Sequence, residues 1–482
     1  MTKSQAPVLW VVALVTLIVF GMTALSEPVL SDGDTWWHVK AGQWILAHGS
    51  VPRIDPFVTW SPGRPWVPHE WFAEVLMALA FQLADWRGVL LLTGLAIATA
   101  FALLAMRLAR DLDWLALACC LLLVLSLVAS GLLARPHILA LPVLVAWAIG
   151  LLQARDHDRA PSLLLLPLMT LWANLHGGYA FGLALIGPFA LEALVEAPVA
   201  SRWRVVRGWA LFGIGALAAS LVTPLGIEGL LFPFKLISMK SITLIGEWQP
   251  VDFARLQPIT IAILAVLFVS MRYSVKVPVM RLLLLLGLVH MSFGQGRHQV
   301  LLGIIGSLVL AAPLGRAFGG QGLGEQGLAG QGLGRARLRG AGPAAAGLLA
   351  GLVVLAGLRL AMPITRGDGR TAPITAMAAV PDSLRRTPVL NGYAFGSYLI
   401  WIGVEPLIDS RADMYGDEAM FAYQRLVSPD PAELDAALAR SNAQWTIFEP
   451  SEPLVALLDR KPGWRRLHTD PTAVVHERVP GG

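Results

Sequence analysis

Apolar runs of membrane-spanning length recur along the chain, separated by short polar segments. The pattern predicts spans near residues 7–26, 88–108, 114–133, 137–153, 162–175, 178–197, 205–223, 256–272, 280–294, 299–316 and 343–362. The loops between them sort by charge. Arg107, Arg110, Arg155, Arg159, Arg202, Arg204, Arg207, Arg272, Lys276, Arg281, Arg316, Arg335, Arg337 and Arg339 all fall on one side. Short loops rich in Lys and Arg stay cytoplasmic, which puts the N-terminus inside and, with eleven spans, the C-terminal region outside. The run 7–26 is long for a signal peptide and lacks a small-x-small cleavage site, so it reads as a retained span.

The segments that break the pattern carry the organisation. Residues 70–86 open with His69-Glu70-Trp71 and carry Glu70, Glu74 and Asp85 on an apolar body. They are expected to form a helix at the outer interface, because a full crossing would invert every later loop. The external loop 27–87 is expected to hold a short helix over 34–48, with Asp34 as N-cap and Gly49 as its stop. Residues 224–255 read as a second external loop. The tract 319–342, with near-repeats of Gly-Gln-Gly-Leu-Gly, reads as a cytoplasmic linker. After the span 343–362 the composition changes, and 363–482 reads as a small extracytoplasmic α/β domain. Its strands are expected at 389–391, 406–409 and 445–448, with a helix over 431–440. The fold class is therefore an all-α polytopic membrane module of about 11 spans, residues 1–318 and 343–362, with a C-terminal α/β domain.

Composition agrees. Of the 482 residues, 56% are hydrophobic and 14% charged, against about 25% charged in a soluble domain. The net charge of +5 is spread over short loops, which gives no nucleic-acid-binding surface. Cys119 and Cys120 are adjacent within an apolar run, so no disulfide framework is expected.

The polar residues at the outer ends of the spans supply the candidate chemistry. Ser31-Asp32-Gly33-Asp34-Thr35-Trp36-Trp37-His38 follows the first span directly. A carboxylate there could act as general base, and Asp32 and Asp34 together could instead hold a divalent cation. Arg135, Arg297 and Lys40 suit an anionic phosphate. His38, His69, Glu70, His137, His176, Glu247, Asp252 and His298 fall on the same side. Trp36, Trp37 and Trp44 could stack on a sugar ring or seat in the membrane interface. Walker A, Rossmann and Gly-x-Ser-x-Gly patterns are missing, which leaves ATP-driven transport, nicotinamide redox chemistry and Ser hydrolysis without support.

These residues carry a resemblance. A D-x-D right after the first span resembles the GT-C superfamily of integral membrane glycosyltransferases, which includes protein O-mannosyltransferases, aminoarabinose transferases and oligosaccharyltransferases. Asp34-Thr35-Trp36-Trp37-His38, His69-Glu70-Trp71, Arg135-Pro136-His137, the run 173–178, Glu247-Trp248 and the run 408–416 are similar to a bacterial branch of that superfamily. The resemblance implies a GT-C transmembrane module and transfer from a polyprenyl-phosphate sugar on the outer face of the bacterial inner membrane, with inversion. It further implies Asp32 or Asp34 as the base toward a lipid, glycan or protein acceptor. Mannosyl and aminoarabinosyl members often begin the next helix with His or Lys followed by Pro-Pro, whereas this chain reads Pro68-His69-Glu70-Trp71.

Three other classes make different demands. A flippase or exporter needs charge within its spans, for which Glu192 and His290 are the candidates. A glycan polymerase needs arginines in long external loops. A non-catalytic scaffold makes Asp32 and Asp34 dispensable. Asp409, Arg411 and Asp413 in the C-terminal domain are expected to form a structural ion-pair cluster.

Overall fold

The computed structural model describes residues 6–58, 63–319 and 335–479. The chain divides into two compact bodies. One comprises residues 1–29, 87–233 and 243–362; the other comprises 30–86, 234–242 and 363–482. The tract expected to be a linker lies, over 320–334, outside the described residues.

The first body is helical because apolar backbone in a bilayer must satisfy its own hydrogen bonds. Among the described residues, five helices are long and apolar enough to cross a membrane: Trp71–Leu108, Trp114–Gly131, Tyr179–Glu196, Gly296–Ala317 and Gly342–Ala361. Four shorter apolar helices are Leu9–Ala24, Leu163–Leu175, Pro258–Arg272 and Val279–Gly294. The remaining expected spans are the helices Leu141–Asp156 and Arg202–Ser220, which carry charged residues at one end. The chain is thus a multi-pass membrane protein by its apolar helices, five of them of crossing length. Residues 224–255 are more ordered than a loop, since Ile227–Ser238 is an apolar helix.

The first helix, α1 (Ala6–Ala24), packs on the last apolar helix, Arg335–Ala361. A Cβ at Gly351 would lie 2.6 Å from the Leu17 side chain, so glycine permits the close approach. Asp113 caps the helix Trp114–Val128 by accepting the Ala116 N–H at 2.9 Å. At one end of this body Arg281 donates to Glu192 at 2.9 Å and to Asp156 at 3.0 Å. Arg107 reaches Asp156 at 3.2 Å, and Arg155 pairs with Asp158 and Glu196. Glu192, the candidate for a mid-span charge, is therefore bound into an ionic network at a helix end.

The second body joins the first loop to the C-terminal region. Its helix α2 (Asp34–His48) stops at Gly49, which is left-handed at φ 62° and donates its N–H to Ile45. The start differs from expectation. Gly33 is the cap residue, and the Asp32 carboxylate accepts the Asp34 N–H at 2.7 Å, so the capping carboxylate lies two residues upstream of Asp34. The next helix, α3 (Trp71–Leu108), is broken at Ala84 and Asp85, where φ is −153° and 50°. The segment 70–86 is thereby set off from the long apolar run that follows.

The C-terminal sheet has four strands: β1 (Val389–Asn391), β2 (Trp445–Phe448), β3 (Trp464–Thr469) and β4 (Val474–Arg478). Their order is β1-β2-β4-β3, with β1 and β2 parallel and the other pairs antiparallel. The strand expected at 406–409 is not formed. The Leu407 N–H bonds the Asn391 side chain at 2.8 Å, which satisfies this segment away from any ladder.

Helices α2 and α3 meet through Gly42, where an added Cβ would overlap the backbone carbonyl of Glu74 and press on Ala78. Gly42→Ala is expected to destabilise the protein by about 1–3 kcal/mol through overpacking. Thermal unfolding of the purified protein in detergent checks this.

Candidate functional site

Two clusters of the expected polar residues form, one in each body. In the second body, His38 and Gly42 lie one turn apart on α2, facing Glu70, in the turn just before α3, and Glu74, in its first turn. The close approach at Gly42 brings His38 Nδ1 to 3.2 Å from Glu74 Oε1 and His38 Nε2 to 3.7 Å from Glu70 Oε2. His69 Nε2 lies 3.7 Å from the other Glu70 oxygen. His38 and Glu74 are both buried. Asp32 and Asp34 are half-buried just before this cluster. The glycine between them is set by contact, because a Cβ at Gly33 would lie 3.1 Å from the Thr371 side chain.

The two tryptophans point into packing. Trp36 is 2% exposed, with ring centroids 4.8 Å from Trp86, 5.2 Å from Tyr398 and 5.7 Å from Trp401. The Arg366 guanidinium covers its face at 4.2 Å. Trp37 is buried against Trp66, and its ring lies 3.6 Å from that of His38. Both rings are thus enclosed by other aromatic side chains of the same body. Trp44 stacks instead on His48 at 4.0 Å.

Beside Trp37 sits a buried charge. Arg411 donates from Nε and Nη2 to Asp409 at 2.9 and 2.7 Å, and from Nη1 to Asp55 at 2.7 Å. Tyr415 donates its hydroxyl to Asp409 at 2.7 Å. Burial alone would raise Asp409, but the Arg411 guanidinium and these hydrogen bonds hold it below the usual carboxylate range. Asp413 goes the other way: burial pushes it up to about 6, only partly offset by Arg411. The expected ion-pair cluster therefore exists for Asp409 and Arg411. Its partner across the body, Asp55, has no sequence signal, being 356 positions away.

In the first body, Arg135, Glu247 and Arg297 converge from three segments. Arg135 Nη1 donates to Glu247 at 2.9 Å, and Arg297 Nη1 contacts its other oxygen at 3.4 Å. Arg297 also lies over the Trp248 ring at 4.1 Å. Burial would raise Glu247, yet Arg135 and Arg297 outweigh it and keep the carboxyl below its ordinary value. The turn holding Arg297 is pinned to the Glu247 loop by Gly296 N–H to Gln249 carbonyl at 3.2 Å and Val251 N–H to Phe293 carbonyl at 3.0 Å.

Histidines surround this cluster. His137 Nε2 donates to the Gly131 carbonyl at 2.9 Å, and its ring lies 5.9 Å from that of His176. His176 Nδ1 accepts the Gly178 N–H at 2.9 Å, and His298 Nδ1 donates to the Met291 carbonyl at 3.2 Å. The arginine cluster and the Glu192 network lie at opposite ends of the helices Leu141–Asp156 and Val279–Gly294, as the charge pattern of the loops requires. Asp252 stays apart in a local turn, accepting the Ala254 N–H at 2.9 Å. Among the described residues, no group of three or more His, Cys, Asp or Glu has metal-holding geometry.

The fold has solved counterparts. The archaeal oligosaccharyltransferase AglB from Archaeoglobus fulgidus, in complex with an inhibitory peptide and a dolichol-phosphate, is similar at TM-score 0.60 and 12% identity, over 92% of this chain and 69% of that one. ArnT from Cupriavidus metallidurans, bound to undecaprenyl phosphate, is similar at TM-score 0.51 and 15% identity, over 99% of both chains. The Archaeoglobus fulgidus oligosaccharyltransferase in complex with Zn and sulfate is similar at TM-score 0.51 and 11% identity, over 92% and 68%. This chain has their GT-C fold. No family model and no curated protein sequence matches it.

Asp413 gives a pH test. Between pH 4 and 6 the unfolded chain ionises Asp413 while the folded chain keeps it protonated, so rising pH favours the unfolded state. Asp413→Asn is therefore expected to raise the melting temperature above pH 6 and to match wild type near pH 4. Melting curves across that range check it.

Proposed function

We propose that this protein is a membrane glycosyltransferase that moves a sugar from a polyprenyl-phosphate donor to an acceptor on the outer face of the membrane. The observation that carries the reading is the convergence of Arg135 and Arg297 on Glu247 in a chain with the fold of proteins bound to dolichol-phosphate and undecaprenyl phosphate. In this reading Asp32 or Asp34 takes the proton from an acceptor hydroxyl or amine, in a lipid, glycan or protein. The acceptor atom bonds to the anomeric carbon as the bond from that carbon to the phosphate oxygen breaks. The electron pair leaves with the phosphate, where Arg135 and Arg297 stabilise the developing charge. Attack opposite the leaving group inverts the sugar carbon. Glu247 holds the two guanidiniums in place before the donor arrives. His69, Glu70, His137, His176 and His298 are assigned to substrate contact, and a divalent cation at Asp32 and Asp34 belongs to the same proposal.

The test is transfer from a radiolabelled pool of polyprenyl-phosphate sugars in membranes, at matched expression. Replacing the base, by Asp32→Asn or Asp34→Asn, is expected to lower labelling of the acceptor by roughly 10²–10⁴-fold. Arg297→Ala is expected to lower it by roughly 10²–10³-fold. Wild-type activity in both Asp variants would overturn the assignment of the base. Wild-type activity in Arg297→Ala would overturn its phosphate role.

A further inference from the structure

The proposed chemistry of the first loop begins at Asp32 and Asp34, and the helix they introduce is held by residues far away in the sequence. Its Trp37 and Ala41 pack with Trp66 and Ile400, and its Trp36 packs with Tyr398 and Trp401. Apolar and aromatic contacts of this kind are non-directional and fix no register by themselves. The directional element beside them is Arg411, 1% exposed. Its fork spans two carboxylates from distant segments, Asp55 of the loop and Asp409 of the C-terminal domain. The same guanidinium lies 4.9 Å from the Trp66 ring, 5.3 Å from Phe57 and 5.9 Å from Trp37. Trp37 in turn lies on His38, which faces Glu70 and Glu74. A chain of contacts therefore runs from the C-terminal domain through Arg411 and Trp37 to α2.

We propose that Arg411 is a positioning residue: by bridging Asp55 and Asp409 against Trp37, it fixes the register of α2 and hence of the Asp32–Asp34 turn. The catalytic part of this statement rests on the glycosyltransferase reading above; the mechanical part does not. A lysine at this position keeps the charge but, as a point donor, cannot fork both carboxylates.

The experiment compares full-length wild type with Arg411→Lys, Asp55→Asn and, as a control elsewhere in the C-terminal core, Leu438→Ala. Amide hydrogen exchange over residues 34–48 is read first. Arg411→Lys and Asp55→Asn are expected to speed exchange there by about tenfold or more, ahead of the C-terminal sheet, whereas Leu438→Ala loosens the sheet first. In the transfer assay kcat is expected to fall by roughly 10–100-fold, with the KM for donor unchanged. Unchanged exchange over 34–48 in Arg411→Lys overturns the proposal whatever the activity. Loosened α2 with unchanged kcat overturns its catalytic half. If wild type transfers no sugar, the glycosyltransferase reading fails, and exchange alone still decides whether Arg411 fixes α2.

Discussion

The second body depends on one buried cation. Arg411 is enclosed by aromatic rings and answered by two carboxylates, one beside it in sequence and one in the first loop. Losing either partner strands a charge away from water, which typically costs about 3–5 kcal/mol. Such a pair adds little net stability over an apolar substitute, but it tolerates only one geometry. The tight crossing at Gly42 follows the same logic by sterics, since it admits no side chain between α2 and α3. Together they fix how α2 packs against its neighbours in this body.

The first body uses charge differently. Glu247 sits between Arg135 and Arg297 at the end of the bundle, half-exposed, where the ions remain accessible. Two guanidiniums share one carboxylate there, and one of them also lies over the Trp248 ring. The network around Glu192 at the other end is richer in carboxylates, with Glu192 buried and Asp158 and Glu196 exposed at its edge. Similar residue types thus make a three-residue cluster at one end and a larger network around a buried carboxylate at the other.

The helices were legible because long apolar runs report directly on burial. The stop at Gly49 was legible too, from a glycine closing a helical run, whereas Asp85 was read only as a charge on the helix and not as the residue at which it breaks. The convergence of Arg135, Glu247 and Arg297 was foreshadowed only as placement on one side. Their contacts depend on helix packing, which no local pattern encodes. Glu74 could have been found by its spacing of four from Glu70 on one helical face. Asp55 could not, because nothing near it signals a partner in the last quarter of the chain. The tryptophans of the first loop could not be assigned from sequence, because an indole suits a sugar, an interface or a core equally well. Trp36 is claimed by the core through Tyr398 and Trp401, residues that lie beyond every span.

The separation of Asp55 from Arg411 has a consequence in time. A chain made at about 5–20 residues per second needs on the order of 20–70 s to pass from one to the other. For that interval Asp55 has been made and its Arg411 partner has not. The nascent protein therefore carries the Trp36 and Trp37 segment before Tyr398, Ile400 and Trp401, which pack against it, have been made. The loop is therefore completed only when a segment made 356 residues later arrives, and a product cut short before Arg411 would hold Asp55 without its buried partner.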